Sequence, residues 1–156
     1  MKILVISDSH ENYPAAVKAL DNAAPVDMII HLGDGCNDAM LLNQLSGKEL
    51  LHVSGNCDLG SKAPRETVWE CRGKRIMLTH GDRYGVKHGL DKLKRRAEEL
   101  QVDAVFYGHT HQAALISLPG LILLNPGPLL RASDNKSYAV VEISDSGICA
   151  RIHNML

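Results

Sequence analysis

Short, nearly continuous apolar runs recur along the chain: KILVI (2–6), DMIIHL (27–32), ELLHV (49–53), RIML (75–78), DAVFY (103–107), LILL (121–124), YAVVEI (138–143) and ICARI (148–152). Runs this short, rich in Ile, Leu and Val and without strict alternation, predict strands covered on both faces, which is the pattern of α/β layering. Helical periods lie between several of them. Asn12 is placed to cap a helix with Pro14 in its first turn and Val17, Leu20 and Ala23 along one face. Asn37 or Asp38 is expected to cap a second helix carrying Met40, Leu41 and Leu45 and stopped by Gly47. Over 88–100, Leu90, Leu93, Ala97 and Leu100 recur at helical spacing, with Asp91–Arg95, Lys94–Glu98 and Arg95–Glu99 as i,i+4 pairs on the remaining surface. The first half therefore reads βαβαβ. After residue 112 the apolar runs are separated only by turns and end in YAVVEISDSGICARI, whose SDSG predicts a hairpin between antiparallel strands.

Composition limits what this layering can belong to. With 156 residues and 45% hydrophobic content the chain is sized for one domain, 1–156, with a full core. A net charge of −1 gives no cationic field of the kind that drives nucleic-acid binding, so nucleic acid is not supported as a partner. No apolar run approaches the roughly 20 residues of a membrane helix, and no membrane partner is expected. Cys36, Cys57, Cys71 and Cys149 form no C-x-x-C pair, and the chain starts directly in a strand without a leader pattern, so a cytoplasmic protein with reduced thiols is expected.

The candidate chemistry sits where the runs end. KILVIS closes on Asp8-Ser9-His10, DMIIHL on Gly33-Asp34, ELLHVS on Gly55-Asn56, RIMLT on His80-Gly81, and DAVFY on Gly108-His109-Thr110-His111. In α/β sheets ligands bind outside the carboxyl ends of strands, so these side chains are expected to converge there. Two Asp, one Asn and four His mix hard oxygen with borderline nitrogen donors, which suits Mn²⁺, Fe, Zn²⁺, Co²⁺ or Ni²⁺ better than Ca²⁺. Seven ligands exceed the need of one ion and fit two ions sharing a carboxylate, about 3.5–4 Å apart as in two-metal hydrolases. On this reading His109 and His111 each serve one metal.

These five blocks, in this order and spanning essentially the whole chain, resemble the calcineurin-like metallophosphoesterases, in particular their small single-domain prokaryotic phosphodiesterase branch. The resemblance implies a four-layer α-β-β-α sandwich of two mixed β-sheets. It implies that Asp8, His10 and His111 hold one metal, that Asn56, His80 and His109 hold the other, and that Asp34 bridges them. Asp34, Asn56 and His109 are also expected to act in the reaction itself. Two divalent ions per chain follow, Mn²⁺ favoured, with Ni²⁺, Co²⁺, Fe²⁺, Zn²⁺ or Mg²⁺ as alternatives. The implied activity is hydrolysis of a small-molecule phosphoester, favouring phosphodiesters, by in-line attack of a hydroxide held between the ions. The alternatives are a phosphomonoesterase, or a non-catalytic interaction scaffold like the retromer subunit of the same fold; a homo-oligomer is left open.

The chain departs from the family pattern at several places. Cys57 replaces a frequent histidine, Glu11 a frequent glycine and Asp82 the second histidine of H-G-H, and Asn125-Pro126-Gly127-Pro128 has lost the serine of an N-P-G-S turn. Cys57, Asp58 and Arg131 are the expected substrate contacts, and Asp58 or His88 could supply the proton that Cys57 does not. Cys36 and Cys57 otherwise read as small fillers beside ligand turns. His31 and His52, lying within strands, are expected to be buried and hydrogen-bonded rather than ligands. His88, His153 and the KLKRR stretch (92–96) are expected to be solvated.

Overall fold

The computed structural model describes residues 1–155. The chain forms β1 (Lys2–Ile6), α1 (Tyr13–Ala23), β2 (Met28–His31), α2 (Cys36–Ser46), β3 (Glu49–His52), β4 (Glu66–Cys71) and β5 (Lys74–Thr79). Two 3-10 turns, Asp82–Tyr84 and Val86–His88, lead into α3 (Asp91–Leu100). Then follow β6 (Ala104–Phe106), β7 (Ala114–Leu118), β8 (Leu121–Asn125), β9 (Ser137–Ser144) and β10 (Gly147–Asn154).

Two mixed five-stranded sheets result, ordered β10-β9-β1-β2-β3 and β4-β5-β6-β8-β7. Strand alternation assigns the layers. Ile3 and Val5 of β1 and Ile30 of β2 point between the sheets and meet Ile76, Leu78, Phe106 and Leu124 of the second sheet, all fully buried. Leu4, Ile6 and Ile29 point the other way, under Ala16, Ala19 and Leu20 of α1 and Leu42 of α2. Met77, Val105 and Leu123 back the second sheet against Leu93 and Ala97 of α3. Strands buried on both faces read as unbroken apolar runs, and the result is the expected α-β-β-α sandwich.

Two strands escape the apolar-run criterion. β4 (ETVWEC) and β7 (ALISL) are sheet edges, antiparallel to β5 and β8; polar residues interrupt the first, while the second is a short apolar stretch directly after the His111 turn. β8 in turn pairs parallel with β6, so the second half is not purely antiparallel. The helix reading also needs correction. α2 starts after Gly35 rather than Asn37 or Asp38, and it buries Ala39 and Leu42 while Met40, Leu41 and Leu45 face outward. Its stop at Gly47, in a left-handed conformation, is as expected. Asn12 does occupy the N-cap of α1, but its Nδ2 donates to the Leu129 carbonyl (2.6 Å) instead of capping the helix. On α3 the ion pairs are Lys94–Asp91 and Arg96–Glu99 at i,i+3, and Arg96 also reaches across to Glu66 of β4. No described helix is long and apolar enough to cross a membrane.

Candidate metal centre

The five turns meet at one end of the sandwich, three from the first sheet (after β1, β2, β3) and two from the second (after β5, β6). Backbone bonds stitch them together: Asp8 N–H donates to Gly33 O (3.0 Å), His10 N–H to Asp34 O (2.9 Å) and Gly108 N–H to His80 O (3.0 Å). Glycine is needed where these turns touch. A Cβ on Gly55 would stand 2.1 Å from Asp34 Oδ1, and one on Gly108 2.0 Å from Ser7 Oγ and 2.7 Å from Asp8 Oδ2.

Asp8, His10, Asp34, His109 and His111 all adopt positive φ, between 43° and 68°. Non-glycine residues held there store about 1–3 kcal/mol each, and the clustering at one point marks a site whose surroundings enforce the geometry. Glu11 is also left-handed, with φ 62°, which is the physical reason a glycine suits that position.

Each side chain is oriented by a specific partner. Asp8, fully buried, accepts from Ser7 Oγ (2.6 Å) and from the His109 N–H (3.1 Å) through Oδ2. Its Oδ1 faces His111 Nε2 at 3.1 Å and His80 Nε2 at 3.9 Å. Burial alone would raise the Asp8 pKa, but the His111 and His80 imidazoles and the Ser7 hydroxyl outweigh it and hold the carboxyl below its ordinary value. Asp34 accepts from the Cys57 N–H (2.8 Å) through Oδ1 and turns Oδ2 toward His80 Nε2 (3.3 Å) and His10 Nε2 (3.7 Å). Here too burial opposes ionisation, and His80 with the Cys57 N–H prevails, so Asp34 sits well below the usual carboxylate range.

His80 Nδ1 lies 2.8 Å from the Leu32 carbonyl, which can only accept, so Nδ1 carries a proton in either state and Nε2 faces the centre, donating to Asp34 Oδ2 when the ring is charged and offering its lone pair when the ring is neutral. Burial pulls the His80 pKa down, but Asp34 and Asp8 outweigh it and raise it overall. His109 Nδ1 is 3.2 Å from His80 Nε2, and its pKa is lowered by burial and by the neighbouring His80 and Lys87 charges.

The donor atoms fall into overlapping groups whose members lie within 4.8 Å of one another: Asp8/His10/His111, His10/Asp34/Cys57 and Asp34/His80/His109. Asp8 Oδ1 and His10 Nε2 are buried without a hydrogen-bond partner. Two orphaned lone pairs of this kind cost about 1–3 kcal/mol each unless a cation satisfies them, so the residues fit a divalent ion. Asn56 is exposed, its Nδ2 3.4 Å from the Sγ of Cys57.

Other expected residues take different places. Asp58, expected to meet substrate, spends its carboxylate on four backbone N–H groups: Asp34 (2.7 Å), Gly35 (2.9 Å), Cys36 (2.9 Å) and Gly55 (2.8 Å). It caps α2 from outside and ties the Asp34 turn to the Asn56 turn; those N–H groups overcome burial and lower its pKa. Arg131 lies on the exposed loop after β8, outside the residues lining the neighbouring cavity. Asp82 pairs with Arg65, which also donates to the Gly55 carbonyl, so this departure links the His80 and Gly55 turns.

His31 is fully buried and hydrogen-bonded as expected; its Nδ1 accepts from the Gly33 N–H (3.2 Å) and its Nε2 meets Ser9 Oγ (3.0 Å). His52 is only half-buried and lines the cavity instead. His88 and His153 are exposed, the latter stacking on Tyr138 with centroids 5.2 Å apart. Sequence reasoning missed the orienting roles of Ser7, Ser9 and His31. The only signal for the serines was their place beside Asp8.

Residues 1–146 match the family model of the calcineurin-like phosphoesterase superfamily domain. The chain belongs to this family. It is 32% identical over 160 residues to "Probable metallophosphoesterase YsnB" of Bacillus subtilis (strain 168), covering 99% of this chain and 91% of that protein. "Phosphodiesterase MJ0936" of Methanocaldococcus jannaschii is 24% identical over 144 residues, covering 81% of this chain and 83% of that one. Among solved structures, a conserved uncharacterized protein of Streptococcus pneumoniae TIGR4 superposes with a TM-score of 0.82 at 27% identity, covering 98% and 88% of the two chains. Zinc-complexed Vps29 of Entamoeba histolytica shares the fold, with a TM-score of 0.80 at 21% identity and 99% of each chain covered. Metal binding and phosphoester hydrolysis are the properties of this family, and the candidate metal-binding groups are present here.

Proposed function

We propose that the protein is a phosphodiesterase working with two divalent metal ions. The observation that carries this is the pair of donor groups Asp8/His10/His111 and Asp34/His80/His109, drawn from four strand ends, with Asp34 also grouped with His10. Asp8, His10 and His111 would hold one ion, His80 and His109 with Asn56 the other, and Asp34 both. Such ions supply Lewis acidity, lowering the pKa of water and neutralising charge on phosphoryl oxygens.

The chain's own residues prepare that chemistry. Asp8 and Asp34 stay ionised through their hydrogen bonds and imidazole neighbours, so the centre is anionic enough to concentrate cations. His80 is locked in one tautomer by the Leu32 carbonyl, and the strained turns fix donor positions before any ion arrives. A cavity opens beside His10, Asp34 and Cys57. That opening leaves room for a second ester group and favours diesters over monoesters. A scaffold reading tolerates loss of ligands, yet all seven positions carry metal-capable side chains.

The test is metal-free protein reconstituted with excess Mn²⁺ and assayed on bis(p-nitrophenyl) phosphate and p-nitrophenyl phosphate. The expected result is close to two ions per chain and a higher kcat/KM for the diester. Asp34→Asn should cost more activity than His10→Ala, and only the latter should recover in excess metal. Activity independent of metal, or a preference for the monoester, refutes the proposal.

A further inference from the structure

One arginine joins two of the turns that carry metal-capable side chains. Arg65 stands just before β4, and the β4–β5 register, with Glu66 opposite Thr79, sets it beside His80. Thr79 Oγ1 donates to the Arg65 carbonyl at 3.4 Å. From there the side chain reaches in two directions. Nη1 donates to the Gly55 carbonyl (2.5 Å), on the turn after β3, and Nη2 pairs with Asp82, in the 3-10 turn after β5. The Arg65 and Asp82 side chains are only 26% and 19% exposed, so solvent screens the pair less than an open one, and the rigid guanidinium fork makes both bonds at once. Arg65 Nε is left buried without a partner, so Gly55 and Asp82 direct the fork at the expense of a third bond.

The Gly55 carbonyl belongs to the peptide that leads into Asn56. Its other bond, from the Asp58 N–H, is long at 3.4 Å, whereas the Gly55 N–H, one peptide earlier, is held by Asp58 at 2.8 Å. Arg65 therefore sets the plane of the Gly55–Asn56 peptide. Asn56 depends on that plane more than the other candidate ligands do. His80 is oriented by the Leu32 carbonyl and Asp34 by the Cys57 N–H, but the Asn56 side chain is exposed and has only the long contact to Cys57 Sγ among the described residues, so its direction follows from its backbone. Arg65 itself is not placed to meet substrate: Asp82 takes up its charge, and it is not among the residues lining the cavity beside His10 and Cys57.

We propose that Arg65 is a positioning residue: by fastening the Gly55 carbonyl to Asp82 it holds the Asn56 turn against the His80 turn and so sets the affinity of the ion that Asn56, His80 and His109 would share. The proposal rests on the two-metal reading and assigns a residue that supports the second ion.

The test is stepwise Mn²⁺ binding to metal-free protein, followed by calorimetry and by the electron paramagnetic resonance signal of a coupled ion pair. Arg65→Met keeps the apolar stem and removes the fork. It should weaken the second ion by about tenfold, the scale for partners that orient a ligand, with the first ion unchanged and the coupled signal lost. A selective weakening of less than about threefold, or a loss shared equally by both ions, overturns the proposal. Action through Asn56 is read from a double-mutant cycle: with Asn56→Ala in place, Arg65→Met should change the second ion by less than about twofold, and additive losses overturn it. Should Arg65→Met fail to fold, Asp82→Asn replaces it in the same cycle; weakening of the second ion by about threefold or more sustains the proposal, and anything smaller overturns it. If wild type takes up a single ion, the two-metal reading has failed on its own. The backbone order parameter of Asn56 in metal-free protein then judges the clamp: a fall in Arg65→Met from the rigid value of about 0.85 to below about 0.6 sustains it, and a value that stays above that overturns it.

Discussion

His31 offers a stability test whose sign depends on pH. Its ring is fully buried, and both nitrogens are used: Nδ1 accepts the Gly33 N–H, which leaves Nε2 to donate to Ser9 Oγ. The neutral tautomer is therefore built into the contact between the Asp8 and Asp34 turns. Burial is the main cause that pushes its pKa from 6.5 to about 4, only partly offset by the negative charges of Asp58 and Asp8. Unfolding returns the imidazole to water and to its ordinary value, so between these pH values the unfolded chain binds the extra proton. Stability then rises with pH across the window and is lost as pH falls from 6.5 toward 4. At about 1.4 kcal/mol per pH unit the full window amounts to about 3 kcal/mol. His31→Gln retains an acceptor and a donor but does not titrate. The assay is urea unfolding of metal-free wild type and His31→Gln at matched pH values from 7.5 to 4.5, analysed as the difference so that shared titrations cancel. Near pH 7.5 wild type should be the more stable by about 1–2 kcal/mol, for two altered hydrogen bonds and imperfect packing. Toward pH 4.5 that advantage should vanish or reverse. A difference constant to within about 0.5 kcal/mol over the whole range refutes the buried neutral histidine.

Asp58→Ala removes the acceptor of four backbone N–H groups and should destabilise the fold by about 3 kcal/mol, lowering Tm by about 10 °C and weakening metal binding through the Asp34 turn; a loss under about 1 kcal/mol in urea unfolding refutes its anchoring role. Gly108→Ala sets a Cβ 2.0 Å from Ser7 Oγ and should displace Asp8, so elemental analysis should find at least one fewer ion per chain than wild type; full metal content contradicts the close packing of these turns. Cys57→His should flatten the dependence of log kcat on leaving-group pKa across aryl and alkyl diesters, chiefly by raising rates for poor leaving groups. A wild type already flat under rate-limiting chemistry would show that another group donates the proton.

The strands buried on both faces and the side chains that end them were legible in the sequence, because burial on two faces writes an unbroken apolar run and four of the five turns set a glycine beside a donor. β4 and β7 were not: Glu66, Thr67 and Glu70 break up the apolar positions of β4, and β7 is a short apolar stretch close behind the His111 turn, whereas the edge strands β3 and β10 kept readable runs. Nor was the face of α2: Met40, Leu41 and Leu45 satisfy a helical period as well as Ala39 and Leu42, and only packing against the first sheet chose the smaller pair. For the centre, the sequence supplied donor types and their order along the chain. Only the tertiary structure decided which donors share a point, because candidate ligands from opposite parts of the chain, such as Asp8 and His111, meet only when two sheets stack with their strand ends together. The same step decided the fate of Asp58 and Asp38. The sequence reads Asp38 as a cap of α2 and Asp58 as a substrate contact; the fold instead gave Asp58 the backbone donors at the start of α2 and left Asp38 Oδ2 buried without a partner.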